Sequence, residues 1–220
     1  MSKDIYRYAN KSLKKLFRLL ESRMQRMVSV ASWDELNVLA AVNEIYNEVE
    51  EEAERQYLDI AQRAYKEASR EIIAVFPEKK DKFKPLTAMF IAGLLDSYDT
   101  KTEYVYRHEV DRKKARLAES LIAINRDPVA FNSNATREAL KRAIGLMERQ
   151  MRNMADTVTD EARRQADADA GVGEVMWHIQ DSEACAKICK PRDQHIYPLY
   201  GVPAKHPNCR CYLTPVTREE

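Results

Sequence analysis

All four cysteines and three of the four histidines of this 220-residue chain lie after Gly171. Cys185 and Cys189 form a C-x3-C pair, and His206-Pro207-Asn208-Cys209-Arg210-Cys211 follows with an imidazole and two more thiols. Two thiols on a turn and a second N/S group further on are how zinc-ribbon-like sites gather four ligands into a tetrahedron. The preferred set is Cys185, Cys189, His206 and Cys209, holding a structural zinc ion. Cys211 stands as the alternative ligand: two positions from Cys209 on a strand it would share a face, and a strand is not the usual geometry for two ligands of one ion. His195 is a lesser substitute for His206.

Two disulfides, or four free thiols, are the competing readings, and a reducing cytosol disfavours the first. Nothing pairs a cysteine with a base, and C-x3-C is not the spacing of thioredoxin-like enzymes. The expectation is a site with no catalytic residue and no organic cofactor.

Such a cluster must be positioned by its surroundings, and these change character near Gly171. Residues 1–170 hold only Gly93, Gly145, Pro77, Pro85 and Pro128, whereas Gly171, Gly173, Gly201 and five prolines crowd the remainder. Two regions are expected, a helical body over residues 1–172 and a small Cys/His β module over 173–220. Leu13, Leu16, Phe17, Leu20, Met24, Met27 and Val28 recur at three- and four-residue steps, which predicts a helix from about Lys3 to Val30. Ser32 with Glu35 reads as a capping box opening a second helix. That helix runs to Pro77 on a seam of Leu39, Val42, Tyr46, Val49, Ala53, Tyr57, Ile60, Ala64 and Ala68, which needs partners along its length.

Leu86–Tyr98, Thr102–Asn125 and Thr136–Met154 read as further helices. Thr159-Asp160-Glu161 reads as the cap of a short last one ending before Gly171. Beyond Gly173, Glu174–Gln180, His195–Leu199 and Cys211–Val216 read as three short strands, with Trp177 as their core anchor. A module so small encloses too little core to stand alone, so a metal or disulfides are expected to hold it. The fold class is therefore mainly α, an elongated N-terminal region of long antiparallel helices followed by a small zinc-ribbon-like β module.

Trp177, Asp181, Cys185 and Cys189, then Gly201-Val202-Pro203 and His206-Pro207-Asn208-Cys209-Arg210-Cys211 with Leu213 and Pro215, resemble the C-terminal signature of phage head-morphogenesis proteins. These are the minor head proteins similar to protein F of phage Mu. Tyr104–Leu121, with Glu109, Arg112, Arg116 and Leu117, also resembles that family's central helix. The chain departs from the pattern in its C-x3-C, where many relatives have C-x-x-C.

The resemblance implies a non-enzymatic minor capsid protein of a tailed phage or prophage. It would associate with the portal and other head proteins and act in head morphogenesis, DNA packaging or delivery. Its place would be the host cytoplasm during assembly and then the virion, in the capsid near the portal. Some relatives carry a further toxin or transferase domain, for which the few residues after Pro215 leave no room.

A net charge of +1, from 36 Lys and Arg against 35 Asp and Glu, excludes a global basic excess for nucleic acid or an anionic membrane. No apolar run approaches the roughly 20 residues that cross a bilayer, and no membrane partner or secretory signal is expected. Packaged DNA is a further expected partner only through local basic clusters, Lys79, Lys80, Lys82 and Lys84 in one turn or Arg112, Lys113, Lys114 and Arg116 on one helix. Self-association along the helical seam is the remaining partner expectation. Lys14, Lys15 and Arg18, and the acidic run Glu48, Glu50, Glu51, Glu52 and Glu54, read as solvated faces.

Two other functions fit the same residues. A zinc-dependent hydrolase or nuclease acting during entry would need an open metal position and a carboxylate base, for which Asp181, Glu183 and Asp193 are nearby. A host helical adaptor with a zinc-ribbon end is the third reading.

Overall fold

The seam of the second helix is buried along its described length: Val42, Tyr46, Val49, Ala53, Tyr57, Ile60, Ala64 and Ala68 are all 3% exposed or less. In this computed structural model, residues 3–28, 35–101, 112, 114–119, 122, 133–179, 187–203, 205, 209 and 211–216 are described. They form helix α1 (Lys3–Val28), α2 (Glu35–Val75), α3 (Ala88–Lys101) and α4 (Ser133–Asp169), then strands β1 (Glu174–His178), β2 (Ile196–Pro198) and β3 (Tyr212–Pro215). Residues 114–119 are helical too. The protein is thus mainly helical with a small C-terminal sheet. Among the described residues no helix is long and apolar enough to cross a membrane. The capping box at Ser32 lies outside the described residues.

By their contacts the residues group into two units, one of Met1–Arg7, Leu58–Thr87 and Ala155–Glu220, the other of Tyr8–Tyr57 and Ala88–Met154. Helix gives way to sheet between Asp169 and Glu174, while the sheet residues group with the ends of α2 and α4.

The second unit is organised by side chains at helical spacing. Leu13, Leu16, Leu20 and Met24 of α1, Val42, Tyr46 and Val49 of α2, and Met147, Met151 and Met154 of α4 are buried. Arg23 pairs with Glu48 at 2.6 Å, and Arg152 donates to Asn10 at 2.9 Å while its guanidinium lies 5.0 Å from the Phe17 ring centre. Burial pushes the Tyr46 hydroxyl up to about 12. Lys14, Lys15 and Arg18 are exposed, and Arg55 pairs with Glu51 and Glu52, so these charges form solvated faces.

In the first unit α2 and α4 run antiparallel, because Tyr65 meets Asp169 while Glu71, further along α2, meets Arg163, further back along α4, at 2.6 Å. Alanines occupy both buried seams, Ala61, Ala64 and Ala68 on α2 with Ala162, Ala166 and Ala170 on the α4 side. Tyr65 donates to Asp169 and accepts the Lys84 backbone N–H at 3.1 Å, while Gln165 donates to the other oxygen of Asp169 at 2.8 Å.

Helix α4 corrects one expectation. It is a single helix of 37 residues, and Thr159 caps nothing: its side chain is fully buried and its hydroxyl donates back to the Ala155 carbonyl at 2.8 Å. The helix stops where the sequence places the stop. Gly171 takes a φ of 74°, its N–H reaches the Ala168 carbonyl, and Val172 N–H reaches the Asp167 carbonyl, both at 2.9 Å. These are the paired bonds of a Schellman cap, whose left-handed position favours glycine. Lys79 adds a cation there, donating to the Ala170 carbonyl at 2.6 Å.

Candidate metal centre

The sheet has the order β2-β1-β3 with both pairings antiparallel. Alternation along β1 buries Val175 and Trp177 and leaves Glu174, Met176 and His178 partly exposed. Trp177 N–H donates to the His195 carbonyl at 2.9 Å, and Gln194, at a φ of 61°, donates to the Trp177 carbonyl at 2.7 Å. On the other side Trp177 faces Leu213 of β3. The indole is therefore fixed by both neighbouring strands. Its face is covered by the Arg192 guanidinium at 5.2 Å, and the Tyr197 ring meets it edge-on at 6.4 Å.

Around this ring lie Cys189, Cys209 and Cys211, at most 7% exposed, with Ile179, Tyr197, Val202 and Leu213 packed outside them. Cys189 ends a turn whose carbonyl accepts from Arg192 N–H at 3.0 Å, at the start of the 3-10 turn Lys190–Arg192. Cys209 and Cys211 lie just before β3. The Sγ atoms of Cys189 and Cys209 are 3.8 Å apart, and all three sulfurs lie within 4.8 Å of one another. None of the three is in a disulfide.

Of the sequence-derived ligand set, Cys189 and Cys209 are thus brought together, while Cys185 and His206 lie outside the described residues. Cys211, held in reserve by the strand argument, is a full member of the cluster. It precedes the strand, so the objection from strand geometry does not apply. His195 is exposed, and its Nδ1 lies 3.3 Å from the Asp193 carbonyl. His178 is half-buried, stacked on Tyr212 and hydrogen-bonded to Thr214 at 2.8 Å.

Cys209 and Cys211 are held in their neutral form. Burial, then hydrogen bonds with Cys209 and Cys189, push Cys211 up to about 12. Burial raises Cys209 as well. Three soft donors converging in a buried place fit a metal that takes thiolates. A bound cation would displace the protons and supply the charge that burial alone opposes. One further atom fits: Trp177 Nε1 is buried without a hydrogen-bond partner, beside sulfurs that become good acceptors only when anionic.

One pairing at the cluster carries no sequence signal. Lys205 Nζ donates to the Cys211 carbonyl at 2.5 Å and to Asp160 of α4 at 2.6 Å, and both side chains of that pair are largely buried. Asp193, the described one of the three carboxylates that a hydrolytic site would draw on, accepts the Ile179 N–H at 3.0 Å and so closes the end of β1. The pairing of Lys205 with Asp160 spans 45 positions, and no local pattern announces it. Comparison of the chain with family models, curated proteins and solved structures finds no match.

Proposed function

We propose that this chain is a non-enzymatic minor head protein of a tailed phage or prophage, associated with the portal and acting in head morphogenesis, DNA packaging or delivery. The observation that supports the reading is a coincidence of residues. Trp177, Cys189, Cys209, Cys211 and Leu213, which carry much of the sequence resemblance, are also the residues that pack into one cluster. A signature spread over a chain has a physical reason when its members build one module, and here that module is a rigid knob on a helical protein.

The knob is held by zinc in this proposal. A tetrahedral zinc–thiolate site with bonds of about 2.3 Å spaces its sulfurs by about 3.8 Å, and the Cys189–Cys209 spacing is 3.8 Å. Cys189, Cys209 and Cys211 are three donors, and the fourth is expected from Cys185 or His206. When bound, the ion supplies a structural cross-link. The engagement of Asp193 with the Ile179 backbone supports a closed structural site over a hydrolytic one.

Co-expression with the portal protein encoded by the same genome tests the role: a complex that survives size-exclusion chromatography is the expected result. Heads assembled without the chain should be misassembled or fail to deliver DNA. Normal infectious heads lacking it, and no portal complex, would reject the reading. Zinc is tested separately by native mass spectrometry, where apo protein with reactive thiols is the contrary result.

A further inference from the structure

We propose that Trp177 is a positioning residue of the metal centre: with an ion bound, its indole N–H donates to a cysteine sulfur of the cluster, orients that ligand and sets the affinity of the site. The inference rests on the metal-binding reading above. It starts from an unsatisfied group. Trp177 is fully buried, and its Nε1 has no hydrogen-bond partner among the described residues. An unmade buried bond of this kind is destabilising, and native proteins seldom leave one uncompensated.

The ring cannot turn to find water. β1 is the central strand, so the Trp177 backbone is fixed on both sides, and Arg192 and Tyr197 confine the ring on its face and edge. The sulfurs of Cys189, Cys209 and Cys211 are packed in the same buried cluster as the ring. A neutral thiol is a weak acceptor, whereas a thiolate on a metal accepts an N–H well. A thiolate held by a cation is therefore the acceptor that this unsatisfied donor lacks. An outer donor of this type changes metal affinity by about 10- to 100-fold. It draws charge from the sulfur and holds it in position.

The test uses the full chain, labelled with 15N at tryptophan and loaded with 113Cd2+. The indole proton of Trp177, assigned by its disappearance in Trp177→Phe, should move downfield on loading and show scalar coupling to 113Cd. Phenylalanine keeps a ring in the core and removes only the donor side, so Trp177→Phe should bind Zn2+ about 10- to 100-fold more weakly. In the Co2+-loaded protein the same change should shift the sulfur-to-cobalt charge-transfer band, a response that loss of packing alone would not produce. Trp33→Phe, at the other of the two tryptophans in the sequence, should bind Zn2+ as the wild type does. A loaded protein whose Trp177 indole is uncoupled, with wild-type affinity in Trp177→Phe, overturns the inference and leaves the metal site standing. Failure of the wild type to take up Cd2+ or Zn2+ at all overturns both. Should Trp177→Phe fail to fold, the 113Cd coupling in the wild type decides alone.

Discussion

Replacing Asp167 by asparagine should stabilise the protein at neutral pH. Asp167 lies near the end of α4 and is only 7% exposed. Burial raises its carboxyl from 3.8 to about 6; the charge of Glu71 acts in the same direction, and Arg163 opposes both. The folded chain thus holds this proton more tightly than the unfolded chain does. Its stabilising effect is complete below about pH 4 and is lost as pH rises through about 6. At 1.36 kcal/mol per pKa unit, the ionised group costs about 3 kcal/mol at pH 7, and well under 1 kcal/mol at pH 4. Asparagine has nearly the same shape and does not titrate, and Arg163 keeps its partner Glu71. Urea unfolding of both proteins, followed by far-ultraviolet circular dichroism between about pH 4 and pH 7, reads the difference. With a slope of about 1–3 kcal/mol per molar urea, the variant's midpoint should be higher by about 1 M at pH 7 and nearly equal at pH 4. A gap independent of pH, or a variant less stable at pH 7, would refute the argument that burial of this charge is the dominant effect.

Tyr65→Phe removes both the donor to Asp169 and the acceptor of the Lys84 N–H, and should cost about 1–3 kcal/mol; an unchanged unfolding midpoint would contradict it. Gly171→Ala forces a side chain into the left-handed cap of α4 and should cost about 1–2 kcal/mol, although nothing crowds the added carbon. Lys205→Met leaves Asp160 without its cation and the Cys211 carbonyl without its donor, for a loss of about 2 kcal/mol; wild-type stability in that variant would show the bridge to be unimportant. Chelation of zinc-loaded protein should make the cysteines reactive and strip hydrogen-exchange protection from β1 and β3, whereas protection that survives exhaustive chelation would mean that packing alone holds the sheet.

What the sequence made legible was what repeats or punctuates locally. The seam from Val42 to Ala68 is buried throughout because one helical period sets it. Gly171 ends α4 because a left-handed cap has few other occupants. The three strands follow from alternation around Trp177 and from the prolines beside them. Thr159-Asp160-Glu161 misled because a threonine before acidic residues has the same local pattern whether it opens a helix or lies within one. The neighbouring seam decides, since Ala155, Val158, Ala162 and Ala166 are buried straight through that point. Cys211 was undervalued for a similar reason: strand geometry was applied to a residue that precedes its strand. The engagement of Asp193, the Lys205–Asp160 bridge and the unsatisfied Trp177 donor depend on distant residues and had no local sign.

Those long-range features bear on how a module of this size stays folded. Its buried side chains are one indole, three thiols, Val175 and Leu199, with partly buried side chains around them, too little apolar burial to offset the ordering of its loops. Two devices compensate from outside the core. Lys205 joins the segment that carries Cys211 to Asp160 of α4, and Leu199 and Val216 return N–H bonds to Gly173 and Glu174 at the start of β1. The helix thus supports the sheet at its rim, while the thiols occupy its centre. A ligand that cross-links Cys189 to Cys209 and Cys211 would join the turn at Cys189 to the approach to β3, 20 positions further along the chain. Removing it should cost most at the centre and least where Lys205 and the Schellman cap keep the chain against α4. Protection lost first at Trp177 and last at Val172, as chelator is added, is the order that this division of labour requires.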